Sequence, residues 1–217
     1  MNWTRILLAA CVALAAWAAW PRRPVVVDNH LPTRQLMIAL TLARMNDALV
    51  ILGDSIVEAS TLPRSECGYA IVNAGVGGAS TESRLDEMLA RALAGKRAAM
   101  VVVALGTNDA AMPESLEGYR ANYRALLASL GALTSHVAVL AIPKPEPGLA
   151  GKVSGATIES YNAILPDVAG EAHASFIALP DMPGRHTIDG IHLNGAGYEV
   201  WDRAVLSGIE ATLCKAR

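Results

Sequence analysis

Short runs that are apolar at nearly every position recur along this chain between amphipathic stretches, and few architectures accommodate that rhythm. The runs lie at residues 48–52, 70–72, 100–105, 137–142 and 175–179. Strands that are apolar on both sides must be covered on both faces, which is the condition of a buried parallel sheet. The intervening stretches read as helices with one apolar stripe. Leu85, Met88, Leu89, Ala92 and Leu93 recur at helical spacing before Gly95. Pro113 opens a second helix carrying Leu116, Tyr119, Tyr123, Leu127 and Leu130. Residues 35–45, 157–168 and 196–213 complete the helices, the last with Tyr198, Trp201, Val205 and Ile209 inward. The sequence therefore predicts an α/β fold, a three-layer doubly wound and mainly parallel five-stranded sheet.

The first residues stand apart. Ile6 to Trp20 is a run of 15 residues without a charge, followed by Pro21, Arg22, Arg23 and Pro24. As a helix it spans roughly 22 Å at 1.5 Å per residue, short of the roughly 30 Å hydrocarbon core of a bilayer. Residues 1–24 read as an N-terminal signal peptide or a membrane anchor, and residues 25–217 as a single domain. Ala16, Trp17 and Ala18 suit cleavage, while Trp17, Trp20 and the arginines suit the interface end of an anchor. Leu8, Ala9, Ala10 and Cys11 resemble a bacterial lipoprotein box, but with only five apolar residues upstream. The expected location is the cell envelope or periplasm, with the chain secreted or tethered through this segment. Beyond Cys11, two cysteines remain. In an exported chain Cys67 and Cys214 suggest a disulfide closing a loop of about 148 residues, the alternative being two buried thiols.

Eighteen Lys and Arg against 20 Asp and Glu leave a net charge of -2, without the basic surface that phosphate neutralisation requires. No nucleic-acid partner is expected. The chemistry must come from loops, and in a doubly wound sheet ligands gather beyond the carboxyl ends of the strands. There the chain places Gly53-Asp54-Ser55, then Asn73-Ala74-Gly75-Val76-Gly77-Gly78, then Gly106-Thr107-Asn108-Asp109, and finally Asp189-Gly190-Ile191-His192-Leu193-Asn194. Singly these are ordinary turns. Together they supply a hydroxyl nucleophile, an imidazole base, a carboxylate to orient it and donors for an oxyanion. Ser55 requires a base to take its proton. Asp189, three residues before His192, reaches one ring nitrogen while the other faces Ser55. Gly78, having no side chain, lets its N–H approach a developing oxyanion, and Asn108 offers a side-chain N–H beside the backbone N–H of Ser55.

In these four blocks the chain resembles the SGNH, or GDSL, hydrolase family, whose motifs carry Ser, Gly, Asn and His in that order. The resemblance spans residues 48–194. It implies a flavodoxin-like fold and a serine esterase or lipase acting without metal or cofactor. Ser55 becomes the nucleophile, Gly78 and Asn108 the oxyanion donors, and Asp189 with His192 the rest of the triad. Ala59 and Leu193 stand where the family often has glycine and proline. The assignment of Gly78 over Gly75 or Gly77 follows the family's last loop glycine.

A metal-dependent phosphoesterase would recast Asp54, Asn108, Asp109, Asp189 and His192 as ligands, but it lacks nitrogen donors and leaves Ser55 idle. An envelope-tethered binding module of the same fold without activity is the other alternative. His186, with Arg185, lies near enough to Asp189 in sequence to contact substrate; His136 and His173 flank strands, and His30 precedes the first helix. After the leader, Phe176 and Trp201 are the only Phe and Trp, which disfavours an aromatic sugar platform. A small acyl group is the expected cargo, with Ile56, Val57, Met112, Pro113, Met182 and Pro183 either lining its pocket or packing the loops.

Overall fold

A computed structural model describes residues 29–112, 115–148, 151, 153–182 and 184–214. Residues 1–28, and with them the leader and Cys11, lie outside the described residues, as do Pro113 and Pro183.

The apolar runs become strands because each satisfies its backbone within a ladder while both of its faces are covered. Every residue of β1 (Leu49–Gly53) is buried. After a short β2 (Ser65–Glu66) come β3 (Tyr69–Gly75), β4 (Met100–Ala104), β5 (Val137–Leu140) and β6 (Ser175–Ile177). The sheet order is β2-β3-β1-β4-β5-β6. All neighbours run parallel except β2, which pairs antiparallel with β3. Among the described residues the sheet thus has six strands rather than the five expected. The added one is two polar residues long and turns back through Cys67 and Gly68, so no apolar run announces it.

Alternate residues face alternate sides. Leu49, Ile51, Met100, Val102, Ala138 and Leu140 join a core with Trp201, Val205 and Ile209. Val50, Leu52, Val101, Val103 and Val139 join the opposite core with Leu42, Leu89, Tyr123 and Leu165. The first core is covered by α2 (Ser55–Glu58) and α6 (Gly195–Ile209), the second by α1 (His30–Ala43), α3 (Leu85–Leu93), α4 (Leu116–Gly131) and α5 (Gly155–Glu171).

Helix starts depend on local capping. Ser115 caps α4 by accepting from Gly118 N at 3.0 Å, so that helix begins after residue 113 rather than at it. Ser154 caps α5, which runs longer at both ends than the expected 157–168. Asn194 caps α6 from 3.1 Å, and α6 passes into a π-helical turn at Glu210–Cys214. Helix α1 begins five residues before expected, at His30, with no side-chain cap to mark it.

Cys67 and Cys214 are joined in a disulfide, with their Cα atoms 5.5 Å apart across 147 residues of sequence. The bridge ties the start of β3 to the end of the last helix, at the amino end of the sheet. The register levels the opposite end. Gly53 stands beside both Gly75 and Ala104, so the loops leaving the three central strands start from one line.

Candidate active site

Ser55 is separated from β1 by Asp54 alone and opens α2. Asp54 sets that turn by accepting the Ile56 N–H at 2.9 Å. It is buried, with Thr107 also donating to it, and loss of water raises its carboxyl to about 6. As the first residue of the turn, Ser55 has a backbone N–H that no described residue accepts.

The Ser55 hydroxyl lies 2.9 Å from His192 Nε2, although 137 residues separate them. On the other side of the ring, Nδ1 lies 2.7 Å from Asp189 Oδ2. The Asp189 carboxylate also accepts the N–H of His192 at 2.8 Å and of Ile191 at 3.0 Å. The hydrogen bond from the His192 ring, then that from its backbone, holds the Asp189 carboxyl down at about 2. An anionic Asp189 accepts a hydrogen bond from Nδ1–H, which keeps the proton on that nitrogen and leaves the Nε2 lone pair facing the Ser55 hydroxyl.

The loop carrying these residues is pinned from below. Thr187 and Leu193 form an isolated antiparallel bridge, and the Ile188 N–H donates to the His192 carbonyl at 2.8 Å. Glu146 Oε1 accepts the N–H of His186 at 2.8 Å and both the N–H and the hydroxyl of Thr187 at 2.7 Å. The Thr187 hydroxyl is the main cause that lowers the Glu146 carboxyl below its ordinary range.

The two donor loops meet each other. Asn108 Nδ2 donates to the Ala79 carbonyl at 2.8 Å, which leaves its second N–H to spare. Asp109, buried and raised by that burial, accepts from the Thr81 hydroxyl at 2.5 Å and the Thr81 N–H at 3.0 Å. Among the three loop glycines, Gly75 N donates to Asn73 Oδ1 and Gly77 N to Glu58 Oε2. Gly78, at φ +80°, has no protein acceptor for its N–H among the described residues.

The sequence profile of the GDSL-like lipase/acylhydrolase family matches residues 51–200. The chain belongs to this family of ester hydrolases. Solved structures agree in fold. A Streptococcus pneumoniae protein, provisionally described as a platelet activating factor, superposes with a TM-score of 0.69 at 23% identity, covering 91% of this chain and 98% of its own. A lipase/acylhydrolase from Enterococcus faecalis gives 0.63 at 20% identity, over 77% and 96% of the two chains. A GDSL-like lipase from Bacteroides thetaiotaomicron gives 0.62 at 19%, over 82% and 97%. No curated protein matches the chain.

The structure places several residues whose roles the sequence left open. Ile56 and Val57 do not line an acyl pocket: α2 turns beneath β1 and buries both in the core with Trp201. His186 is buried, its ring nitrogens 3.1 Å from the Gly184 carbonyl and 3.0 Å from the Lys144 carbonyl, so it braces the loop. Met112 is half-exposed, and Met182 lines a cavity of about 700 Å³ beyond β5 and β6 with Pro143, Lys144 and His186. Among the described residues the one cluster of three His, Cys, Asp or Glu side chains close enough to share an ion is Glu66, Cys67 and Cys214, two of them in the disulfide. Sequence reading did not find Glu58, Thr81 or Glu146, whose partners lie between 19 and 41 residues away.

Proposed function

We propose that this chain hydrolyses carboxylic esters of small acyl groups through an acyl-enzyme on Ser55. The observation that carries the reading is the continuous line from the Ser55 hydroxyl through the His192 ring to Asp189, at 2.9 and 2.7 Å. His192 Nε2 takes the hydroxyl proton as Oγ bonds to the acyl carbonyl carbon. The carbonyl electrons move onto oxygen, where the N–H groups of Ser55 and Gly78 and the spare N–H of Asn108 receive the charge. Collapse restores the carbonyl and breaks the bond to the leaving alcohol, which takes the proton from His192. Water, deprotonated by the same ring, then releases the acid and returns the proton to Ser55. Asp189 keeps the ring in the required tautomer and balances its transient charge.

The apolar run Ile6 to Trp20 supports delivery of this activity to the cell envelope, as a secreted or tethered enzyme. Cell fractionation with mass spectrometry of the N-terminal peptide tests that part; a full-length cytosolic chain contradicts it.

The catalytic reading is tested by treating the protein with a fluorophosphonate, which bonds to activated serines, and mapping the adduct by peptide mass spectrometry. An adduct on Ser55 that disappears in His192→Ala is the expected result. A folded, unlabelled protein overturns the reading in favour of a binding module without activity.

A further inference from the structure

The geometry points to Glu58 as a positioning residue that fixes the oxyanion loop against the nucleophile, an inference that rests on the esterase reading above. Glu58 closes the same helical turn that Ser55 opens. Its Oε2 accepts the Gly77 N–H at 2.7 Å, so three residues of helix set the separation between the nucleophile and the loop that ends in Gly78. The loop and this turn are in backbone contact: a Cβ on Gly75 would collide with Glu58 N.

A loop with two adjacent glycines has little intrinsic reason to hold one peptide orientation. If the plane between Val76 and Gly77 rotates, the next N–H, on Gly78, swings with it. The carboxylate of Glu58 holds the first plane and thereby aims the second. Gly77 also lies close against Ser55, since an added Cβ there would sit 3.9 Å from the Ser55 Cβ.

A negative charge so near a developing oxyanion would oppose it unless balanced. Arg34 of helix α1 supplies the balancing charge, and His30 adds a hydrogen bond. His30 Nε2 lies 2.8 Å and Arg34 Nε 3.3 Å from Glu58 Oε1. Arg34 also grips the end of β3, donating from Nε and Nη2 to the Gly75 carbonyl at 2.9 and 2.7 Å and from Nη2 to Asn73 Oδ1 at 3.2 Å. Asn73 Nδ2 in turn donates to the Val57 carbonyl at 2.6 Å. Glu58 therefore stands at the junction of α1, α2 and the glycine loop, touching none of the reacting atoms.

The test compares Glu58→Ala, Glu58→Asp and Glu58→Gln in the full chain, using p-nitrophenyl acetate turnover, fluorophosphonate labelling of Ser55 and hydrogen exchange at the Gly77 amide. Misplacing a donor by a fraction of an ångström lowers turnover by about tenfold to a hundredfold. The expected result is that loss of kcat in Glu58→Ala with KM within about twofold, together with faster exchange at Gly77. Glu58→Asp, one methylene too short to reach Gly77, should match it even if the alanine variant fails to fold. Glu58→Gln keeps an acceptor and should recover most of the loss, which a merely structural role does not require. Unchanged kcat in Glu58→Ala or Glu58→Asp, or unchanged Gly77 exchange, overturns the inference. A wild-type chain that carries no adduct on Ser55 overturns the esterase reading and the role of Glu58 together; an active wild type with indifferent Glu58 variants overturns only the latter.

Discussion

The side-chain amide of Asn108 donates to the carbonyl of Ala79 at 2.8 Å, so the loop after β4 is fastened to the glycine loop after β3 by the residue assigned to hold the oxyanion. One N–H orients the side chain, and in the proposed mechanism the other receives the charge of the oxyanion. Asn108→Ala removes both. Because the missing contact strengthens only as the oxyanion forms, kcat on p-nitrophenyl acetate should fall about a hundredfold to a thousandfold with KM little changed. Steady-state kinetics check this, and a loss confined to KM would remove Asn108 from the oxyanion site.

Asp54 connects the active-site turn to the pH dependence of stability. Its buried carboxyl titrates near 6 in the folded chain, against 3.8 for an ordinary aspartate. Between those values the folded state holds a proton that the unfolded state has released, so stability falls as pH rises from about 4 to about 6 and levels off above. The whole effect is on the order of 3 kcal/mol. Asp54→Asn keeps a carbonyl oxygen for the Ile56 N–H but cannot ionise. Urea unfolding at intervals from pH 4 to 7 should show the stability of Asp54→Asn rising relative to wild type across that window. A difference that is flat with pH would mean that Asp54 does not titrate there.

The central strands and the loops that bring Ser55, His192 and Asp189 together were legible because the same physics that builds them writes them into short stretches of sequence. A strand covered on both faces must be apolar at nearly every position, as 100–104 is, and a carboxylate three residues from an imidazole reaches it within one turn. What escaped reading depends on partners distant in sequence. Asn73 and Gly75, taken for loop, continue β3 because Asn73 can satisfy itself on the Val57 and Ser60 carbonyls. Ile56 and Val57 follow the nucleophile and so read as rim, yet the helical turn capped by Asp54 carries them under the sheet. Glu58 and Glu146 are single acidic residues with no pattern around them, and only the fold shows which N–H groups each one collects.

The disulfide between Cys67 and Cys214 sits at the amino end of the sheet, opposite the line of Gly53, Gly75 and Ala104 from which the loops of the candidate site depart. Its removal should therefore loosen the fold without disturbing the chemistry. Closing a loop of 147 residues restricts the unfolded chain by up to about 5 kcal/mol in the entropy model. The Cys67→Ser, Cys214→Ser double variant should melt roughly 5 to 15 °C lower, while kcat at 25 °C stays within about twofold of wild type. Calorimetry and turnover measured on the same preparation check both halves, and a variant with intact Tm would show that the bridge contributes little.

Glu146 governs the loop that carries His192 and Asp189. One carboxylate oxygen collects three donors from His186 and Thr187, and the Glu146 N–H returns a hydrogen bond to the Gly190 carbonyl at 2.9 Å. Those donors are buried, so removing their acceptor leaves N–H groups that neither water nor protein satisfies. The segment should then shift and carry the His192 imidazole away from the Ser55 hydroxyl. Glu146→Ala is expected to lower the rate of fluorophosphonate labelling at Ser55 by tenfold or more, and Glu146→Gln, which keeps an acceptor oxygen, to lower it less. The acid response has a definite sign. Because the folded carboxyl lies below its ordinary 4.5, its contribution to stability is complete above that value and is lost as pH falls through the folded pKa. Wild type should therefore lose stability relative to Glu146→Gln as pH is lowered below about 4.5. Labelling rates equal to wild type in Glu146→Ala would show that the loop keeps its shape without this carboxylate.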